Sequence, residues 1–126
     1  MKKIGLALTL ISISLGANAA GCATPKNAFD EVYCAGNLFT QVDHDLNLAY
    51  GTLKKHLNPA NNNLLKQGQL TWIKARNLKC SKEDGTGYFV NLSCAIDMTS
   101  DRLAFLKERE RECKSTGCVD AKLGAN

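Results

Sequence analysis

Apolar residues recur every three or four positions along most of this chain, which is the spacing of one face of an α-helix. The first such stripe ends near residue 57, and Thr24 followed by Pro25 predicts the N-cap and the first helical residue. Gly36 and Asn37 predict a kink within this helix. The apolar positions of the stripe are Ala35, Phe39, Val42, Leu46, Ala49, Leu53 and Leu57.

Two further helices are predicted after the first. Asn58 and Pro59 favour the start of the second helix, and residues 83–87 form a turn before the third. The apolar positions of the second helix are Leu65, Trp72, Ile73 and Ala75, and the third has the regular series Phe89, Leu92, Ile96, Thr99, Leu103, Leu106, Glu110 and Cys113. Because no alternation of period two competes, the sequence predicts an all-α fold, a small antiparallel bundle of three main helices.

The first 19 residues have the pattern of a secretory signal peptide. Lys2 and Lys3 precede an uncharged apolar run, and residues 17–19 form a small-x-small cleavage site. The run is too short to span a bilayer as a mature helix, and we expect no transmembrane segment elsewhere. We therefore expect a periplasmic or secreted protein whose mature part, residues 20–126, forms a single domain.

An alternative processing route involves Cys22. Residues 20–22 resemble the end of a lipoprotein box, in which Cys22 would carry a lipid anchor. Such a box normally has a larger aliphatic residue three positions before the cysteine, and this chain has Ala19 there. We therefore favour cleavage after Ala19.

Charge is nearly balanced in the mature part, with 14 basic against 12 acidic residues. Nucleic-acid binding requires a larger positive excess on one face. The densest charged stretch, residues 107–111, alternates in sign, which is typical of a solvated helix face. These features favour a protein partner over nucleic acid.

Six cysteines remain after processing, and an even number in a small exported domain predicts three disulfides. The absence of C-x-x-C from the sequence argues against a zinc ribbon and a thioredoxin-like redox site. An antiparallel hairpin that turns at Gly87 would bring two cysteines level, and the tight turn at residues 114–117 would join two more. The predicted pairs are Cys80 with Cys94, Cys113 with Cys118 and, as the remaining pair, Cys22 with Cys34.

One stripe of the second helix combines an amide, an indole, a guanidinium and a thiol, from Gln69, Trp72, Arg76 and Cys80. We interpret Trp72 as the largest core residue rather than as a platform for a ligand. Arg76 is expected to pair with a carboxylate while its stem packs. The candidate carboxylates are Asp43, Asp45 and Asp97, and the side chains expected to satisfy polar groups between helices are Gln69, Tyr50 and Asn47.

Four groups of residues occur in order: Cys22 and Cys34; Leu46, Asn47, Tyr50 and Leu53; Gln69, Trp72, Arg76 and Cys80; and Cys94, Thr99, Arg102 and Leu106. This order resembles the lysozyme inhibitor LprI-like family (the DUF1311 domain), over roughly residues 22 to 107. The resemblance implies an exported, disulfide-bonded helical domain and, in named members, an inhibitor of lysozyme. Residues 113–126 lie beyond the pattern.

Catalytic machinery is not visible in the sequence. His44 and His56 are the only near-neutral general bases, and the consecutive residues Asp43, His44 and Asp45 cannot converge on one ion from a helix. The cysteines are expected to be oxidised, and neither G-x-S-x-G nor a phosphate-binding glycine loop occurs. We expect a non-enzymatic protein with no metal and no cofactor.

The candidate binding residues are Lys114, Ser115 and Thr116, inside the hexapeptide that Cys113 and Cys118 would close. A rigid loop loses little entropy on binding. Lysozyme uses two carboxylates, with which a lysine and two hydroxyls could pair. The loop also resembles the cyclised loop with which an unrelated lysozyme-inhibitor family plugs the enzyme's cleft. The alternative is a staple that only tethers the C-terminal segment.

The sequence therefore favours a protein that binds and inhibits a lysozyme-type muramidase. The alternative is a structural or assembly factor of the cell envelope that binds another protein. Charge favours this alternative slightly, because animal lysozymes are strongly basic and the mature chain is itself slightly positive. A local acidic patch would offset this if its members share a face, and the candidates are Asp30, Glu31, Asp43 and Asp45.

Overall fold

Four helices and one β-hairpin make up residues 22–125, the part of the chain that this computed structural model describes. The elements are α1 (Ala28–Lys54), α2 (Pro59–Cys80), β1 (Ser81–Asp84), β2 (Gly87–Val90), α3 (Leu92–Ser115) and α4 (Asp120–Leu123). The prediction of an all-α bundle with three main helices is confirmed. The predicted signal peptide, residues 1–19, lies outside the described residues.

The predicted start of the first helix is wrong by three residues. Asn27 is the N-cap of α1, and its side-chain oxygen accepts hydrogen bonds from the backbone N–H groups of Phe29 (2.9 Å) and Asp30 (3.1 Å). An asparagine side chain satisfies two free N–H groups of the first turn here, so the helix begins after it. Thr24 and Pro25 lie in the preceding irregular segment. The helix then continues without interruption through Gly36 and Asn37.

The second helix begins as predicted, with Asn58 as N-cap and Pro59 as the first helical residue. The Asn58 side-chain oxygen accepts a hydrogen bond from the backbone N–H of Asn61 at 2.8 Å. Proline is suited to this position because the first helical N–H has no partner within the helix.

An antiparallel β-hairpin follows α2, although the sequence predicted only a turn there. Its register pairs Ser81 with Val90 and Asp84 with Gly87. Phe89 therefore belongs to β2 and not to the apolar stripe of the third helix. Strands of four residues are too short to show a clear alternation of apolar and polar positions, which explains why the pattern did not reveal them.

The buried face of α3 differs from the predicted stripe. Thr99 and Leu106 are buried as expected, but Leu92, Ile96 and Leu103 are only partly buried. The buried positions follow each other at helical spacing and include two arginines: Ala95, Thr99, Arg102, Leu106 and Arg109. The face towards the core is therefore more polar than the apolar residues alone indicate.

The three long helices run up, down and up. Arg76 of α2 contacts both Asp43 of α1 and Thr99 of α3, so these three positions are level. The core between the helices is formed by Leu46, Ala49, Leu53, Leu65, Trp72, Leu106 and Leu123. Leu53, Leu65 and Leu106 show no exposed surface.

Three disulfides join the predicted pairs. Cys22 is bonded to Cys34, Cys80 to Cys94 and Cys113 to Cys118. The first ties the segment before α1 to that helix, the second closes the base of the hairpin, and the third links the end of α3 to the chain before α4.

The C-terminal segment, residues 119–125, folds back onto α2. Leu123 is 1% exposed and belongs to the core, and a Cβ atom built on Gly68 would lie only 3.0 Å from the Gly124 Cα. Asn61 Nδ2 also donates a hydrogen bond to Asp120 Oδ1 at 2.5 Å. Glycine at position 68 leaves room for this close approach, because any larger residue would force the segment at Gly124 to shift. Within the described residues, no helix is both long and apolar enough to cross a bilayer.

Candidate functional site

Trp72 lies at the centre of the bundle, as predicted for a core residue. Only 6% of its surface is exposed, and it contacts residues of the main apolar cluster. The guanidinium carbons of Arg76 and Arg102 lie 5.0 and 5.9 Å from the centroid of its ring. Cations at these distances are attracted by the ring electrons, so the indole has a structural role in contact with two arginines.

Arg76 joins all three long helices. Its Nη1 forms an ion pair with Asp43 Oδ1 at 3.2 Å, and the same nitrogen is 3.4 Å from Thr99 Oγ1. Its guanidinium also lies 5.4 Å from the centroid of the Phe39 ring. The predicted carboxylate partner is thus Asp43, among the three candidates.

Arg102 is buried without a carboxylate partner among residues 22–125. Its Nε donates a hydrogen bond to Gln69 Oε1 at 2.9 Å, and its Nη1 donates to the Ala125 carbonyl oxygen at 2.6 Å. The guanidinium also stacks on Phe105, 4.5 Å from the ring centroid. Burial lowers the pKa of Arg102 from its ordinary value to about 10, so the side chain remains cationic near neutral pH. Gln69 therefore satisfies a polar group between helices, as predicted.

Asn47 and Tyr50 are also predicted to satisfy polar groups between helices. This prediction is wrong for Asn47, and no hydrogen bond within residues 22–125 supports it for Tyr50. Asn47 Nδ2 donates to the carbonyl oxygen of Asp43 at 2.9 Å, which is a contact within α1. Asn47 is exposed because it lies on the outer side of that helix. Tyr50 packs against the core with its ring, and burial raises the pKa of its hydroxyl above the ordinary value.

The closed loop, with its candidate binding residues, lies at the end of α3. Lys114 and Ser115 still belong to the helix, and Thr116 is its C-cap. Lys114 forms an ion pair with Glu110 one turn earlier. The sulfur of Cys118 lies 3.7 Å from the His56 carbonyl oxygen, which places the loop beside the connection between α1 and α2. All three candidate residues are exposed, and their role in binding stays a prediction.

Glu112 connects the end of α3 to the C-terminal segment. Its Oε1 accepts a hydrogen bond from Lys122 Nζ at 2.8 Å and contacts Arg109 Nη2 at 3.0 Å. The hydrogen bond from Lys122 is the main reason why the pKa of Glu112 lies below its ordinary value, and the positive charges of Arg109 and Arg111 add to the effect. The carboxylate therefore helps to hold the segment that carries Leu123.

We expect the C-terminal segment to loosen in acid. A carboxyl group with a lowered pKa in the folded state stabilises it fully above the unfolded value of 4.5, and this contribution is lost as the pH falls through the lowered pKa. NMR signals of the Leu123 methyl groups, followed from about pH 7 to about pH 3, should report the change. Glu112→Gln should remove this dependence, and an unchanged acid response in that variant would contradict the assignment.

Three of the four acidic residues of the predicted patch on α1 have partners within the chain, and the patch itself stays a prediction. Asp43 is paired with Arg76, Asp45 Oδ1 accepts a hydrogen bond from Gln41 Nε2 at 3.0 Å, and Asp30 accepts one from the Lys26 backbone N–H. Asp43, His44 and Asp45 are consecutive residues of α1, so their side chains point in different directions from the helix. Among residues 22–125, no group of three or more histidine, cysteine, aspartate or glutamate side chains is arranged to hold a metal ion.

Exposed aromatic side chains form a second candidate site, which the sequence did not predict. Phe29 and Tyr33 of α1 are 88% and 69% exposed, and Tyr88 and Phe89 of β2 are 83% and 43% exposed. One signal was available for α1, because Phe29 and Tyr33 fall outside the apolar stripe that starts at Ala35. A large aromatic residue outside such a stripe faces solvent or a partner.

Most of the helical bundle lies within a segment that matches a known protein family. The model of the family described as lysozyme inhibitor LprI matches residues 22–106. The chain belongs to the LprI family. The LprI match includes two of the disulfides, the hairpin and the arginines around Trp72, and it ends before the Cys113–Cys118 loop and α4. No curated protein and no solved structure matches the chain.

Proposed function

We propose that this protein binds and inhibits a lysozyme-type muramidase. The observation that carries the proposal is the match of the LprI family model to residues 22–106, two thirds of the chain. The description of that family gives lysozyme inhibition as the activity. A protein partner is also consistent with the four exposed aromatic side chains among residues 22–125.

The proposal includes a periplasmic or secreted location. Three disulfides and no free cysteine are found in residues 22–125, and disulfides persist in oxidising compartments. Muramidases attack the cell wall from outside the cytoplasm, so inhibitor and target would meet there. A lipid anchor on Cys22 is not part of the proposal, because in this structure Cys22 is bonded to Cys34.

We also propose that the protein acts without catalysis. His44 and His56 lie on the surface, far apart along α1 and the connection after it. The polar side chains of Gln69, Arg76 and Arg102 are used in contacts that hold the helices and the C-terminal segment together. An inhibitor needs only a surface that fits the enzyme, and it needs no reactive group of its own.

A turbidity assay of cell-wall lysis tests the proposed function. Purified oxidised protein should slow lysis by at least one enzyme in a panel of lysozymes, with inhibition that saturates as its concentration rises. The same preparation after reduction and alkylation is the control, because the unfolded chain should inhibit far less. If no lysozyme is inhibited, the proposal is wrong, and the alternative of an envelope factor that binds another protein becomes the better one.

A further inference from the structure

Two arms extend from the same end of the helix bundle. Phe39 of α1 lines a cleft of about 340 Å³ together with Val90 and Ala95, so it is level with the start of α3. Residues 28–38, which precede it, extend the helix by about 16 Å at 1.5 Å per residue. The hairpin, residues 81–90, extends by about 13 Å from the adjoining end of α2. We call these segments the α1 arm and the hairpin arm.

Neither arm contributes a residue to the core. The first buried residue of α1 is Val42, and all residues of both strands are exposed except Gly87, which is partly buried. Of the eight aromatic side chains in residues 22–125, the four that are exposed all lie on the arms. Other apolar side chains on the arms are also exposed by more than half: Val32, Leu38 and Val90. Exposed aromatic groups concentrated at one end of a small domain are typical of an interaction surface.

Both arms are held by disulfides. The bond between Cys22 and Cys34 ties the preceding segment to the α1 arm, and the bond between Cys80 and Cys94 closes the base of the hairpin arm. The Asn91 backbone N–H also donates to the Cys80 carbonyl oxygen at 2.8 Å. Ordering these segments on binding therefore costs less entropy than ordering free loops.

The charges on the arms suit a basic partner. The arms and the residues next to them carry three lysines (Lys26, Lys79 and Lys82) against four carboxylates (Asp30, Glu31, Glu83 and Asp84), whereas the remainder of the mature chain has a positive excess. Strongly basic animal lysozymes would therefore be attracted to this end more than to the rest of the molecule.

The arms and the closed loop cannot contact one enzyme cleft together. The arms adjoin the start of α3, and the loop lies at its other end, 24 residues later. At 1.5 Å per residue this separation is about 36 Å. The family match contains both arms and excludes the loop, so the arms lie in the part of the chain that carries the family relationship.

We propose that the α1 arm and the hairpin arm together form the surface that binds the muramidase, with the aromatic side chains as its main contacts. The inference rests on the proposed function, since it names the surface through which inhibition occurs. The binding surface is thereby placed on the arms, at the opposite end of the bundle from the closed loop. Projecting arms also match the concave shape of an enzyme's substrate cleft.

Alanine substitutions at the most exposed aromatic residues test the proposal. Phe29→Ala and Tyr88→Ala, one on each arm, should each weaken binding to an inhibited lysozyme by about tenfold or more, measured by calorimetry and as the inhibition constant. Thermal unfolding should be nearly unchanged, because exposed side chains contribute little to stability. The matched controls are Leu70→Ala, an exposed apolar residue outside the arms, and Lys114→Ala in the closed loop. Both should bind like the parent.

Each other outcome has a definite meaning. If the parent inhibits and Lys114→Ala weakens binding tenfold while the arm variants do not, the loop is the binding surface and the proposal for the arms is wrong. If sedimentation shows a dimer that Phe29→Ala dissociates, the surface binds a second copy and the proposal is again wrong. If the parent neither binds nor inhibits any lysozyme, the proposed function itself fails, and the muramidase is excluded as the occupant of the arms.

Discussion

Replacing Trp72 by alanine should lower the free energy of unfolding by about 3 to 5 kcal/mol. The substitution would leave a large cavity in the main apolar cluster, which also contains Leu65 and Leu106. It would also remove the cation–π contacts of the ring with Arg76 and Arg102, at 5.0 and 5.9 Å from its centroid. Chemical denaturation followed by circular dichroism measures the loss.

Fluorescence provides an independent measurement for this residue. Trp72 is the only tryptophan of the chain, so the emission spectrum of the native protein reports on its surroundings alone. A buried indole should emit at short wavelength and shift to longer wavelength on unfolding. Leu78→Ala is a suitable control for stability, because Leu78 lies on the same helix and is 73% exposed. Emission typical of water, together with near-normal stability of Trp72→Ala, would make Trp72 a binding residue.

Removal of the disulfide between Cys80 and Cys94 should cost about 2 to 5 kcal/mol in the free energy of unfolding. The bond closes a loop that contains the whole hairpin and joins the end of α2 to the first turn of α3. Without it, the unfolded chain gains conformational freedom, which stabilises the unfolded state. The double variant Cys80→Ser, Cys94→Ser should therefore unfold at a lower denaturant concentration.

The shorter loop offers a matched comparison. Cys113→Ser with Cys118→Ser opens a loop of sequence separation 5, against 14 for the hairpin bond, so its entropic cost should be smaller. Peptide mapping of the non-reduced protein should recover Cys80 joined to Cys94. A peptide in which Cys80 is joined to another cysteine would show that the connectivity described here is wrong.

Helical spacing and cysteine geometry were sufficient to predict the bundle and the disulfide pairs. Regular apolar steps determine which residues share a helix face, and a turn near Gly87 makes only certain cysteines level. The pairing of Arg76 with one of three carboxylates was also predictable, because a stem that packs beside Trp72 places the guanidinium near the neighbouring helix.

The burial of Arg102 could not be predicted, because it depends on contacts with residues that are distant in the sequence. Arg102 is buried because its hydrogen-bond partners, Gln69 and the Ala125 carbonyl oxygen, come from α2 and the C-terminal segment. A charged residue on a helix is otherwise expected to face water. The hairpin arm has strands too short to show a pattern, and its exposed aromatic residues therefore gave no signal of a surface.

The docking of the C-terminal segment bears on how the protein resists proteolysis. Lys122 is half exposed and directly precedes Leu123, so the bond between them is chemically suited to a protease that cleaves after lysine. Cleavage there would detach Leu123 from the core and remove the carbonyl group of Ala125 from Arg102. Proteases cut segments that open from the folded structure, and α4 is a single turn. In an envelope or extracellular setting, the lifetime of the whole bundle would then depend on how rarely this one turn opens.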